Sequence, residues 1–342
     1  MKALVLTAYR RLEIRDVPRP EPGPGDVRVR VHACGICGSD VHGYDGSSGR
    51  RIPPLIMGHE AAGVVDAVGA EVRAFRPGDR VTFDSTIHCG VCGFCRSGQA
   101  NLCDSRRVVG VAPGEYRQDG AFAEAVVVPE RIVCRVPDKV PFEQAAMVEP
   151  LSVAVHAVRR ARVAAGDRAL VVGCGMIGLL TLQVAKAAGC ASVVAVDLDE
   201  GRLAQAARLG ADVTFVAGDD VPARILELTG GRGVDVALEA VGAAAPIATA
   251  VRSLRKGGTL VLIGNVTPRV EVDLQAIVTR ELSLLGTCAS NGEYPEALAL
   301  LARGAVRLDG LISRIAPLEE GPAWFERLYA REAGLMKVIL QP

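Results

Sequence analysis

The run Gly173-Cys174-Gly175-Met176-Ile177-Gly178 restricts the fold of this 342-residue chain more than any other feature. A G-x-G-x-x-G pattern alone is common, so its surroundings carry the argument. Residues 169–172 before it read as a short apolar strand, and 179–188 after it read as a helix. A second Val-rich strand, 192–196, then ends in Asp197. In such a strand–turn–helix–strand unit the glycines allow a tight turn and close backbone approach. The helix N-terminus receives a pyrophosphate, and an acid roughly 20 residues on accepts ribose hydroxyls. Gly173, Gly175, Met176, Ile177, Gly178 and Asp197 are therefore the candidate dinucleotide ligands. Arg202 nearby, Val241 and Ile263 are counted with them. An acid at 197 repels a 2′-phosphate, which predicts NAD over NADP, although Arg202 leaves some room for a phosphate.

The rest of the chain fits around that unit. From about Leu151 onward, Ala/Leu-rich helical stretches alternate with strand runs at 169–172, 192–196, 213–216, 234–239, 259–263 and 282–285. This alternation predicts an α/β, doubly wound parallel sheet with helices on both faces. The first third reads differently. Asp26-Val27-Arg28-Val29-Arg30-Val31-His32 alternates as a half-buried strand should, and short apolar runs recur at 61–68, 80–83 and 122–128. The expected domains are a β-rich one over 1–150 and 288–342, interrupted by a Rossmann domain over 151–287.

Cysteine is the compositional oddity, with ten residues. Four fall in Cys89-x-x-Cys92-x-x-Cys95-x(7)-Cys103. Four thiolates on one loop suit a closed tetrahedral Zn²⁺ that stabilises the fold, with an iron–sulfur centre as the competing reading. His88 adjoins the cluster and is read as a bystander. The N-terminal apolar stretch is too short for a signal-peptide core, and 169–185 is too short and glycine-broken for a membrane span. A cytoplasmic protein with reduced thiols is expected, which favours metal over disulfides. Equal numbers of basic and acidic residues, 39 each, and only 4% aromatics argue against nucleic acid as a partner.

Further motifs carry a family likeness. These are Cys34-Gly35-Ile36-Cys37-Gly38-Ser39-Asp40-Val41-His42, Gly58-His59-Glu60-Ala61-Ala62-Gly63 with Gly69 and Val72, Pro77-Gly78-Asp79-Arg80-Val81, and Glu149-Pro150-Leu151-Ser152-Val153. With the cysteine cluster and the glycine motif, they resemble the zinc-dependent medium-chain dehydrogenase/reductase family, in order over essentially the whole chain. The Glu149 stretch looks most like the sorbitol (polyol) dehydrogenase branch. The resemblance implies a GroES-like catalytic domain and two zinc ions per chain. It also implies hydride transfer between a secondary alcohol or polyol, such as a sugar alcohol or cyclitol, and NAD, giving a ketone.

Cys37 and His59 would offer sulfur and nitrogen to the catalytic zinc, and either Glu60 or Glu149 would complete three ligands with one position open. Asp40 would orient His59. Ser39 resembles the family's relay hydroxyl and His42 its solvent-side proton acceptor, linked through the nicotinamide ribose. Polyol enzymes of this kind often carry an arginine near Gly286-Thr287-Cys288, and this chain has Cys288 there. That departure widens the substrate to small secondary alcohols and polyols. Tyr44 is read as a pocket wall, and Lys337 as a candidate contact to a cofactor phosphate. Cys34-x-x-Cys37 as a redox pair would conflict with zinc ligation. His32 and His156 are read as structural, and Cys134, Cys174 and Cys190 as small apolar fillers. An L-threonine 3-dehydrogenase or simple-alcohol dehydrogenase is the enzyme alternative; a zinc-binding interaction or structural protein is the other. A homotetramer or homodimer is expected from the family.

Overall fold

In the computed structural model, which describes residues 1–342, the alternating valines near the N-terminus form the middle of a mixed sheet. Strand β1 (Asp26–Gly35) buries Val27, Val29 and Val31 while Arg30 faces solvent. It runs antiparallel to β2 (Glu60–Val68), with Gly35 opposite Glu60. Helix α1 (Gly38–Tyr44) follows β1 directly. These join Ala125–Pro129 and further short strands around a core that includes Phe83, Phe122, Phe325 and Leu340. Helix α2 (Val148–Arg160) carries Glu149 in its first turn.

The second part of the chain is a six-stranded sheet. Its strands are β3 (Arg168–Val172), β4 (Ser192–Asp197), β5 (Val213–Val216), β6 (Val234–Glu239), β7 (Leu254–Leu262) and β8 (Ser283–Gly286). They are all parallel, in the order β5-β4-β3-β6-β7-β8. That is the doubly wound order in which the first strand lies beside the fourth. The chain reverses direction across the sheet between β3 and β6, and the crevice beyond their carboxyl ends is where such sheets bind dinucleotides. Helix α3 (Met176–Ala187) leaves the turn after β3, and α4 (Glu200–Arg208) follows β4. A final strand, β9 (Lys337–Gln341), returns to the first sheet and pairs with β1, Leu340 opposite Cys34.

Two compact units result. One comprises Met1–Glu149, Ser290–Ala302 and Leu308–Pro342; the other comprises Pro150–Ala289 with Arg303–Arg307. The short 303–307 segment departs from the expected boundary for a physical reason. The amide of Gln183 on α3 pairs with the backbone of Arg307 in both directions, at 2.8 and 3.1 Å. Strand β7 also begins earlier than its apolar run suggests. Polar Arg255-Lys256-Gly257-Gly258 hides its first half, and the pairing with β6 shifts register between Val234 and Val236. No helix is long and apolar enough to cross a membrane.

Candidate active site

Metal-type donors gather where β1 ends and β2 begins. Cys37 is the N-cap of α1: its sulfur accepts from the Ser39 amide at 3.5 Å, and its own amide donates to Asp40 Oδ2 at 3.2 Å. That reciprocal cap fixes the sulfur at the helix entrance. His59 and Glu60 arrive through Gly58, whose φ is +93°. A Cβ at Gly58 would lie 2.8 Å from the Phe122 ring and 2.9 Å from Cys34 Sγ, so only glycine fits there. One donor atom each from Cys37, His59 and Glu60 lies within 4.8 Å of the others. A soft sulfur, an imidazole nitrogen and a carboxylate oxygen are a fitting donor set for a catalytic zinc with an open position.

The side chains behind this trio are buried and charged. Asp40 is fully buried, and its Oδ1 lies 3.3 Å from His59 Nδ1, which leaves Nε2 for a metal. That contact has ion-pair distance but not hydrogen-bond alignment, so His59 Nδ1 has no well-directed partner. Burial alone would raise the Asp40 carboxyl, but His59 and Arg51 hold it down at about 2. Glu60 is gripped by Lys337, whose ammonium lies 2.8 and 2.6 Å from its two oxygens and 3.1 Å from the Ile36 carbonyl. Lys337 is buried, so the expectation that it reaches a cofactor phosphate is corrected: its charge faces Glu60.

Glu149 stands outside the 4.8 Å set. Its Oε1 accepts from Ser85 Oγ at 3.1 Å, and burial pushes its carboxyl up to about 7. Ser39 and His42 are both exposed on α1, three residues apart and so on one face. Tyr44 is not a pocket wall. It is buried, and its hydroxyl donates 2.8 Å to the Arg10 carbonyl and lies 2.5 Å from Glu326, where it packs against Phe325. His32 stacks on Phe142. Cys34 is buried and forms no disulfide with Cys37.

The second cluster is separate from this trio. The sulfurs of Cys89, Cys92, Cys95 and Cys103 all lie within 4.8 Å of one another, with Cys89 and Cys95 3.9 Å apart and no disulfide among them. Four bonds of about 2.3 Å to one tetrahedral ion put sulfurs about 3.8 Å apart, so the spacing fits. The Val91 and Cys92 amides point at Cys89 Sγ, at 3.4 and 3.3 Å, and hold that thiol down at about 6. Desolvation and the neighbouring sulfurs push Cys95 up to about 12, a crowding that a central cation relieves. His88 lies 4.0 Å from Cys95 Sγ, outside the four.

In the second unit the three motif glycines do three different jobs. Gly173 has φ +93°, a conformation that makes the turn. A Cβ on Gly178 would fall 1.7 Å from the Gly173 carbonyl, so helix and strand pack only with glycine there. Gly175 has nothing within 4 Å of its missing Cβ, leaving open space over the helix N-terminus where Met176 and Ile177 begin α3. Asp197 ends β4; its Oδ2 accepts from the Cys174 amide at 2.6 Å and its Oδ1 from the Asp199 amide at 2.9 Å. Each carboxylate oxygen keeps a second lone pair for a ribose hydroxyl. Arg202 is exposed in the first turn of α4. Val241 and Ile263 follow β6 and β7, beyond their carboxyl ends. Buried Glu239 shapes that edge, accepting from the Val241 and Gly242 amides at 2.7 and 2.8 Å.

Both units have relatives. Residues 23–138 match the alcohol dehydrogenase GroES-like domain, and 177–303 match the zinc-binding dehydrogenase family. A sorbitol dehydrogenase of Macaca fascicularis is 37% identical over 351 residues, covering 99% of this chain and 95% of that protein. The chain belongs to the zinc-binding alcohol dehydrogenase family. An L-idonate 5-dehydrogenase of Vitis vinifera is also 37% identical, over 90% of this chain and 85% of its own. A Sinorhizobium meliloti 1021 structure bound to NADP superposes with a TM-score of 0.92 at 36% identity, covering 100% of this chain and 99% of that one. As a zinc-binding dehydrogenase of the sorbitol dehydrogenase-like branch, the chain is an oxidoreductase, which sets aside the interaction-module and structural-protein readings.

Two residues of consequence carry no motif. Arg51 contacts Asp40 and Ser39, and Lys337 contacts Glu60. Arg51 follows Arg50 ahead of Ile52-Pro53-Pro54, and Lys337 is the single charge in the run Leu335–Leu340; neither setting says which acid the side chain meets.

Proposed function

We propose that this dehydrogenase oxidises a secondary hydroxyl of a small polyol to the ketone with NAD, using Cys37, His59 and Glu60 as the catalytic metal set. The observation that carries the reading is the mutual 4.8 Å approach of those three donors, with Glu149 held nearby but outside. Zinc bound there supplies a Lewis acid that makes a secondary alcohol easier to deprotonate. Ser39 accepts the proton released by the substrate, and His42, one turn along the same face of α1, passes it to solvent. Glu149, raised toward neutral by its burial, exchanges a proton with water near the metal set. The substrate class rests on relatives named as a sorbitol dehydrogenase and an L-idonate 5-dehydrogenase. Steady-state NADH formation over polyols, L-threonine and simple alcohols tests it. Polyols should give the highest kcat/KM, and a preference for threonine or a primary alcohol would overturn the substrate assignment.

Asp197 supports NAD as the working cofactor, although the Sinorhizobium meliloti relative was solved bound to NADP. Replacing Asp197 with serine removes both the ribose acceptor and the negative charge. The ratio of kcat/KM for NAD over NADP should fall by about 100-fold, which is the loss of about 3 kcal/mol of discrimination. An unchanged ratio would remove Asp197 from cofactor selection.

Self-association through the nucleotide-binding unit is the reading for quaternary structure. Strand β8 is one of the two unpaired edges of the parallel sheet. Helix α5 (Leu274–Thr279) and the loop before it expose Val266, Val272, Leu274 and Val278, an apolar surface unusual for an isolated unit. Sedimentation should give a dimer or tetramer, and a monomer at micromolar concentration would contradict this.

A further inference from the structure

The loop Gly49-Arg50-Arg51-Ile52 carries two adjacent arginines with opposite fates. Arg50 is exposed, whereas Arg51 is only 5% exposed. The Arg51 side chain lies across α1 at Gly43, where a Cβ would sit 2.1 Å from Arg51 Cγ. Any larger residue at 43 would push the arginine off the helix. From there its Nη2 reaches two acceptors, Asp40 Oδ1 at 3.1 Å and Ser39 Oγ at 3.2 Å. The same Asp40 oxygen is the one 3.3 Å from His59 Nδ1. A single guanidinium nitrogen therefore connects the hydroxyl on the open face of α1 with the carboxylate behind the metal-set histidine. Its Nε is buried with no partner, so the arginine is not placed to satisfy its own hydrogen bonds fully.

We propose that Arg51 is a positioning residue that orients the Ser39 hydroxyl for proton acceptance and locks it to the Asp40–His59 pair. This rests on the reading of Ser39 given above. A guanidinium is always protonated and can only donate, so Ser39 Oγ accepts at this contact. The serine's own O–H then points away from Asp40, toward the exposed face. Without Arg51, Ser39 would rotate among its staggered rotamers, and Asp40 would be the stronger magnet for its proton. A hydroxyl donating to Asp40 is turned away from the substrate. In the reaction Ser39 takes the proton of the substrate hydroxyl as it passes its own on towards His42 and solvent, while the carbinol hydrogen leaves with its electron pair and reduces NAD. Arg51 neither gains nor loses a proton.

Four variants test this on the zinc-loaded enzyme with NAD and one polyol: Ser39→Ala, Arg51→Ala, Arg51→Lys and the double variant Ser39→Ala/Arg51→Ala. Arg51→Ala should lower kcat about 10–100-fold, the range for residues that orient a reacting group. The KM for polyol, the Kd for NAD and the zinc content should stay within about twofold of wild type on the same scale. Free guanidinium at millimolar concentration should restore part of the rate. Arg51→Lys should fall between, because an ammonium lacks the planar fork. In the Ser39→Ala background, removing Arg51 should change kcat less than about twofold, since there is no hydroxyl left to orient.

The Ser39 and Arg51 readings fail in different ways. Near-normal kcat for Ser39→Ala would overturn the relay reading and the Arg51 role with it. A slow Ser39→Ala enzyme beside an Arg51→Ala enzyme of normal kcat would overturn the Arg51 role alone. Additive losses in the double variant would do the same, as would a loss of thermal stability or zinc with no guanidinium rescue. Each would mark Arg51 as a scaffold residue of the Asp40 pair.

Discussion

Replacing His59 with alanine is expected to lower kcat by about 10³-fold or more, the scale of several kcal/mol of lost metal-based stabilisation. His59 is the nitrogen donor of a set whose other members are a thiolate and a carboxylate already engaged by Lys337. Two remaining donors, one of them shared with a buried ammonium, hold a divalent ion poorly. The variant should therefore lose one of two zinc ions per chain. Its dinucleotide affinity should be intact, because Gly173, Gly175 and Asp197 belong to the other unit. Asp40 keeps Arg51 as a counter-charge, so the buried carboxylate is not orphaned and the unit should still fold. Zinc analysis, NAD titration and steady-state kinetics on the same sample separate these effects. Retained turnover with one zinc would place the reaction elsewhere.

The largest stability effect is expected at the four-cysteine cluster. Cys103 is the buried member, and its sulfur accepts from the Cys89 amide at 3.2 Å. Structural zinc contributes on the order of 10–16 kcal/mol in small zinc modules, so each of four thiolates accounts for roughly 3–4 kcal/mol. Cys103→Ser should lower Tm by about 10 °C, at roughly 2–4 °C per kcal/mol for a unit of this size. The first stretch to open should be the loop 89–103, where Val91, Phe94 and Leu102 are exposed and Asn291 holds the backbone only at Gly98 and Ala100 on its far side. Limited proteolysis should cut there first in the variant and in chelator-treated wild type. An unchanged Tm, with the wild-type metal content, would mean that the sulfurs do not hold a structural ion.

Much of this arrangement is legible in the sequence because it is local. The glycine motif sits within one strand–turn–helix unit, and each glycine's role follows from backbone space alone. The strand run at 234–239 coincides with the observed strand because a parallel strand buried on both faces is nearly all apolar. The run at 213–216 coincides as well, although it is an edge strand in which only Phe215 is buried. The cysteine loop is equally local. What is hidden depends on distant pairing. Lys337 meets Glu60 across most of the chain, because β9 returns to pair with β1 at Cys34 and Gly35, and no periodicity announces that. Tyr44 looks outward two residues past His42, yet α1 turns it toward Glu326 on a C-terminal helix. Arg51 follows another arginine in a loop, and only the absence of a side chain at Gly43 lets it turn under the helix. Polarity indicates solvent at such positions, and an opposite charge brought in by the fold overrides it.

The most direct measurement is a titration of zinc content against the rate of NADH formation on a polyol, using mild chelation of the intact protein. Two zinc ions per chain are expected at full activity. Turnover should fall in proportion as the first ion leaves the Cys37–His59–Glu60 set, while the chain stays folded with the second ion on the four cysteines. Full turnover by protein holding a single zinc ion per chain would contradict it.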